Sequence, residues 1–447
     1  MSRAGASNYT IFRIKKPSTG VEVPIMGKVL NFNYYESIYS STITGSIALE
    51  DVGGSVEDDK TGVLATIKDG MKLTGFEEVT FQVNNESGNL DFKNYPLIVT
   101  GSPSVDESNR QVVLLKLVSK TEIESSKKPL SRNYPEGPIS DTILKILKDE
   151  LKIPKDKLGF NKETNKYDYI EGTQNQDKIK GDHRGALDVI LKMCKKSIPA
   201  DGKDPGYFFY ETQDGFNFRS IDGLIKKGIE DFSNEEYAKM HTYYKFESIA
   251  AKLDDENGND FKILTTPLVR RDEDQLQALR NGLYNVRIIT KNTLTGEYKE
   301  EIKNLLSDTN LGEKQEKPVS NDVYFKTYSF HISPGQDDPG VSDVILNNPA
   351  DYVPQSNMRY SLLHSQMVQI QVPCNVQLKA GEVIKLYLEN ITQSNKNDQI
   401  YNNLRSGYYM IKDLCHSFSP TNSYTSLTLL RDTRELYRST KWIIHQI

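Results

Sequence analysis

Six histidines, three cysteines and 61 acidic residues are the side chains of this 447-residue chain best suited to chemistry, and their spacing organises none of it. His183, His241, His331, His364, His416 and His445 sit singly, and Cys194, Cys374 and Cys415 lie far apart. Neither a zinc-ligand spacing nor a disulfide framework emerges. Segment 252–260 (KLDDENGND) looks like a calcium loop, but with Gly258 in the sixth position the first ligand would be Leu253. It reads as a turn. The chain contains no G-x-x-x-x-G-K-[ST] phosphate loop, no H-E-x-x-H pair and no G-x-S-x-G elbow. The carboxylates are numerous enough to hide a glycosidase pair, yet no spacing singles one out, and most read as solvated faces. His416 beside Cys415 reads as a strand end next to a turn. No catalytic, cofactor-binding or metal-ligating residue is assigned, and no cofactor is expected. Gly206, Gly215 and Gly381 are read as turn glycines that supply a positive φ.

The elements around these residues form a pattern that is architectural. Residues 95–118 (YPLIVTGSPSVDESNRQVVLLKLV) and 408–431 (YYMIKDLCHSFSPTNSYTSLTLLR) both read strand, polar turn, strand. Tyr95 to Leu114 matches Tyr408 to Leu427 in spacing, with Asn109 on Asn422, which suggests one β-domain used twice. Residues 1–122 form the first, with strands at 8–15, 28–40, 42–50, 78–83 (Val79, Phe81 and Val83 on one face), 95–100 and 111–120, a bulge or bend at Thr44-Gly45 and a turn at Asp69-Gly70. Residues 123–232 read as an α+β insert. Its first helix is capped by Ser140 or Asp141 and stripes Ile143, Leu144, Leu147 and Leu151. A surface loop at 155–181, a second helix from about Asp182 to Pro199, and a hairpin at 207–221 around Asp214-Gly215 complete it. Residues 233–437 read as the second β-domain, with short helices at 272–281 and 359–367, a hairpin at 283–302 and a polar loop at 304–322. The tail 438–447 is expected to dock on a neighbour or partner, with packing back on its own barrel as the alternative.

Composition narrows the setting. With 56 basic and 61 acidic residues the formal charge is −5, which argues against a surface that coats nucleic acid. A channel through which DNA slides suits such a balance, because tight phosphate contacts would hold the DNA in place. The few cysteines fit a reducing cytoplasm, the N-terminal residues lack a signal-peptide core, and no run approaches a membrane span. The 25 tyrosines suit half-buried sheets and protein interfaces. The single tryptophan, Trp442, leaves few aromatic platforms for sugars.

Four strings then resemble one family. These are TITGSIALEDVGG (42–54), the helix and hairpin within 185–225 (GALDVILKMCKKSIP and PGYFFYETQDGFNFRSIDGLI), LKAGEVIKL (378–386) and GYYMIKDLCHSFSPTNSYTSLTLLRD (407–432). In this order they are similar to the baseplate central hub proteins of T-even-like contractile-tailed bacteriophages; segment 304–322 has no counterpart in that picture. The resemblance implies a mainly β fold with an α+β insert: two tail-tube-like β-barrel domains plus smaller inserted domains. It implies a homotrimer whose barrels make a pseudo-sixfold ring between a hexameric tail tube, or its initiating protein, and a trimeric cell-puncturing spike. The ring would enclose a channel for the tape-measure protein and for DNA that passes without sequence-specific binding, with baseplate wedge proteins as further neighbours. It implies residence in the virion tail baseplate after assembly in the host cytoplasm, and no catalytic residues. Two alternatives are a tail-associated polysaccharide- or peptidoglycan-degrading enzyme and the hub of a bacterial contractile injection system.

Overall fold

Strand alternation with apolar residues on one parity builds most of the molecule. The computed structural model describes residues 8–432 except 55, 58–61, 108–109, 202–203, 246–257, 272–275, 277–279, 281, 283–284, 294, 305–325, 333–347 and 389–404. The front of the chain supplies β1 (Asn8–Lys15), β2 (Val29–Ser37), β3 (Thr44–Asp51), β4 (Glu78–Asn85), β5 (Leu97–Gly101), β6 (Ser104–Glu107) and β7 (Arg110–Ser119). In β4 the predicted face of Val79, Phe81 and Val83 is fully buried. Asp69-Gly70 is not a turn. Thr66 caps a short helix, α1 (Ile67–Met71), by accepting from the Asp69 amide, and this captures both residues. Gly45 carries no bulge; it pairs in register with Tyr34, and a Cβ there would lie 3.2 Å from the Asn33 carbonyl oxygen.

The insert begins with α2 (Lys120–Lys127), followed by α3 (Ile139–Lys145) and α4 (Ala186–Cys194). Neither Ser140 nor Asp141 caps α3. Its N-cap is Pro138, and the Ser140 hydroxyl is instead bonded to Thr173. The hairpin β8 (Tyr207–Thr212) and β9 (Gly215–Ser220) closes over a core of its own that includes Ile143, Leu147, Leu187, Ile190, Phe209 and Phe218. Two further helices, α5 (Ile221–Asp231) and α6 (Glu235–Met240), lead out of it.

The rear of the chain supplies β10 (Thr242–Lys245), β11 (Leu268–Arg271), β12 (Asn285–Asn292), β13 (Tyr298–Asn304), β14 (Lys326–Ile332), α7 (Pro349–Leu363), β15 (Gln366–Pro373), β16 (Val383–Leu388), β17 (Gly407–Phe418) and β18 (Ser423–Arg431). Gly258–Phe261 is a 3-10 turn, and the next strand starts at Leu268. The helix expected at 359–367 lies at Pro349–Leu363, because the apolar run there spans a helix end and the start of β15. β12, β13 and β14 form a separate three-stranded sheet, and Val286 and Ile288 pack on α7 through Met358 and Leu362. The polar loop, most of the candidate calcium loop, most of the 272–281 helix and the C-terminal tail lie outside the described residues.

Among the described residues, the long strands outside the three-stranded sheet and the hairpin β8–β9 join one 15-stranded sheet. Numbered within each half, β1, β2, β3, β4, β5 with β6, and β7 are the front strands, and β10, β11, β15, β16, β17 and β18 the rear ones. Both halves pair in the same spatial order, first-fourth-fifth-sixth-third-second. One difference is the first strand, antiparallel to the fourth in front and parallel in the rear. The repeated hairpins share an irregularity too. The ladder slips at Lys116/Leu117, opposite Gly101 and Val99, and again at Thr428/Leu429, opposite Asp413 and Ile411. Structurally, Leu117 therefore matches Leu429 and Leu115 matches Leu427. The alignment of Leu114 with Leu427 is one residue out of step, and such a slip exchanges sheet faces: Leu114 is 40% exposed, whereas Leu115 and Leu427 are buried. Asn109 lies outside the described residues.

The two strand sets are fused. β17 pairs with β16 before its bulge at Lys412 and with β2 after it, from Asp413 opposite Ser37 to Phe418 opposite Phe32. One core runs across the seam, from Phe12, Phe32 and Phe81 to Leu414, Phe418 and Leu427. Phe32 stacks on Phe418 at 5.7 Å and meets Phe81 edge-on at 4.8 Å. Such pairs contribute about 1 kcal/mol each beyond their burial.

Candidate functional site, a three-way joint

The most polar buried region lies where the insert hairpin meets both strand sets. Glu36 sits on the inward parity of β2, with Phe32 and Tyr34. It accepts from the Tyr34 hydroxyl at 2.7 Å, the Gln213 amide at 2.7 Å and the Ala380 amide at 3.0 Å. One carboxyl thus ties a front strand to the hairpin tip and to the turn before β16. Glu211 on β8, two residues before Gln213, ties the same end of the hairpin to the front strands, accepting from the Ile43 amide and the Ser119 hydroxyl, each at 3.0 Å. Burial outweighs the opposing hydrogen bonds in both and pushes each carboxyl up to about 7.

Beside them Lys379 reaches Asp214 at 2.7 Å and Glu382 at 3.6 Å, and His241 Nε2 lies 3.3 Å from Glu382. Burial pushes the Glu382 carboxyl up, but His241 and Lys379 outweigh it and hold the group below its ordinary value. Asp214, Lys379 and Glu382 line a hollow with Tyr169, Arg219 and Lys227. Two of its three acids, Asp214 and Glu382, are bridged by the Lys379 ammonium, an arrangement that locks segments together. A second ionic knot lies nearby: Arg359 of α7, 1% exposed, binds Asp222 of α5 through Nε at 2.8 Å and Asp432, just after β18, at 3.2 Å.

The turn glycines serve this joint. Gly206, Gly215 and Gly381 all have positive φ, as read from the sequence. Gly381 (φ +84°) leaves no room for a Cβ, which would stand 2.2 Å from the Tyr210 hydroxyl oxygen; at Gly215 it would stand 2.0 Å from the Lys157 carbonyl oxygen. Gly215→Ala is expected to destabilise the protein by about 3 kcal/mol in chemical denaturation, from strain and overpacking together. An unchanged midpoint would show that the hairpin tip is not held this closely.

Of the histidines, His241 joins the network and His416 is buried inside β17, its Nδ1 2.9 Å from the Thr425 hydroxyl oxygen. His416 is the third residue from the end of β17, just before the turn to β18. Burial lowers its imidazole to about 4. His445 lies outside the described residues, and among those described no three His, Cys, Asp or Glu residues are grouped to hold a metal ion. Among them, too, no helix is long and apolar enough to cross a membrane. Glu36, Glu211 and Arg359 were not singled out from the sequence. The signal for Glu36 was an acid on the apolar parity of a strand.

No family model and no curated protein matches the chain. Among solved structures it is similar to a tail protein from Neisseria meningitidis MC58, with a TM-score of 0.50, 8% identity, and coverage of 97% of this chain and 99% of that one. It is also similar to the 43 kDa tail protein of prophage MuSo2 from Shewanella oneidensis (TM-score 0.49, 7% identity, 95% and 99% covered). A looser overlay is a type VI secretion system component from E. coli (TM-score 0.41, 10% identity, 96% and 79% covered). The first likeness establishes the fold class, a mainly β tail-protein fold, over nearly the whole chain.

Proposed function

We propose that this chain is a structural component of a phage-type tail, acting as its central hub. Residues 1–122 and 233–437 act as two tube-like domains, 123–232 as the α+β insert bracing them, and 438–447 as a docking tail. Three copies form a pseudo-sixfold ring that joins a hexameric tail tube to a trimeric spike and encloses a conduit for tape-measure protein and DNA. The observation that carries this reading is the identical strand order of the two halves, joined through β2 and β17. A chain with two equivalent modules can present a six-part face to one neighbour and a three-part face to another, and a closed ring satisfies every interface. The Neisseria fold supports a tail setting. The buried acids of the joint support a bracing role rather than turnover, since they bind backbone amides and a lysine.

Light scattering of the purified chain, alone and with tube and spike proteins, tests this. A particle of three chains is expected. A chain that stays single in every mixture contradicts the reading.

A further inference from the structure

The seam inside the chain specifies a second seam between chains. Within one molecule, the far half of the rear fifth strand, β17, pairs with the front second strand, β2. The front counterpart of that half-strand is β6, which among the described residues pairs only with β7. The rear counterpart of β2 is β11, which among the described residues ends the sheet and pairs only with β15. Each half thus leaves open the edge that its twin uses.

Edge chemistry agrees. Pro103, which precedes β6, accepts from the Leu114 amide at 2.8 Å, so its missing N–H lies on the β7 side. Alternation then turns the Ser104 backbone N–H and C=O toward the open edge. Val105, 65% exposed, and Leu268, 50% exposed, are apolar side chains on the two open strands. Exposed edges of this kind recruit another strand.

We propose that β6 of one copy pairs antiparallel with β11 of the next, in the register of the internal seam. By the matched bulges, Ser104 stands where His416 stands and Val105 where Ser417 stands. By their pairing to the third strands, Val269 stands where Tyr34 stands and Leu268 where Asn33 stands. Since His416 faces Tyr34 and Ser417 faces Asn33, Ser104 faces Val269 and Val105 faces Leu268 across the interface. Pro267, next along, has no N–H and ends the ladder. The contact is head-to-tail, so it closes into a ring only when its rotation permits. The number three rests on the proposed hub function; the register does not.

The test is the full-length Val105→Cys/Leu268→Cys variant under mild oxidation on a non-reducing gel. Val105 and Leu268 fall at a non-hydrogen-bonded pair, where Cα atoms come within about 4.5 Å, inside disulfide reach. Covalent two- and three-chain species, ending at three and absent from either single variant, are expected. A ladder that ends at another number or never ends upholds the pairing and overturns the trimer. A trimer by light scattering that fails to crosslink overturns the pairing and leaves the hub reading standing. Single chains with no crosslink overturn both. Ser104→Pro, which removes the edge donor together with the hydroxyl that accepts from Lys68 Nζ at 2.7 Å, is expected to abolish assembly with an unchanged circular dichroism spectrum, whereas Ser104→Ala, which loses the hydroxyl alone, assembles; normal assembly of Ser104→Pro contradicts the proposal.

Discussion

Replacing Arg359 with methionine lowers the unfolding free energy by about 4 kcal/mol, the cost of stranding a buried charge. Asp432 is fully buried, Arg359 is 1% exposed, and methionine fills the volume without supplying the charge. The three partners come from α5, α7 and the end of β18, so the loss falls on the attachment of the insert to the rear strands. A fall in the urea midpoint, with early proteolysis near residues 221–231, would register it. Asp222→Asn should cost less, because that side chain is 30% exposed and water can replace part of the bond. Equal costs for the two variants would contradict this account of the knot.

Stability should also fall as pH rises from about 4.5 through 7. Glu36 and Glu211 are both fully buried, and each holds its proton up to about 7 in the native state against an ordinary value of 4.5. Between those limits the folded chain binds more protons than the unfolded one, so unfolding becomes easier as pH increases and levels off above the folded value. Each shift corresponds to roughly 3 kcal/mol. Other groups titrate over the same range, so the measurement is a difference: unfolding free energies at pH 5 and pH 8 for the wild type and for Glu36→Gln, which mimics the protonated acid. The variant is expected to lose about half of the shared dependence, and Glu36→Gln/Glu211→Gln nearly all of it. Parallel pH profiles for wild type and variants would show that these carboxyls are ionised in the native protein.

Local signals made the strands legible. Val79, Phe81 and Val83 alternate cleanly, the Asp214-Gly215 turn sits between two aromatic strands, and Gly381 marks a turn that only a residue without a Cβ fits. Helix boundaries were less legible, because tertiary contacts set them. Thr66 captures Asp69-Gly70 into a helix, and the run ending at Met367 reads as one element although α7 and β15 divide it. The repeat was visible, but its register was not. Leu114 and Leu115 are both leucine, and only burial shows which of them faces the core. The joint was hardest to see, because Glu36, Gln213 and Ala380 are distant in sequence and meet only after the two strand sets fuse.

The most direct test of two matched strand sets in one hub chain is an end-on electron image average of the isolated protein. The account predicts an annulus of three copies, with six alternating lobes around a central opening. A solid particle, or a twofold pair with no opening, would contradict it.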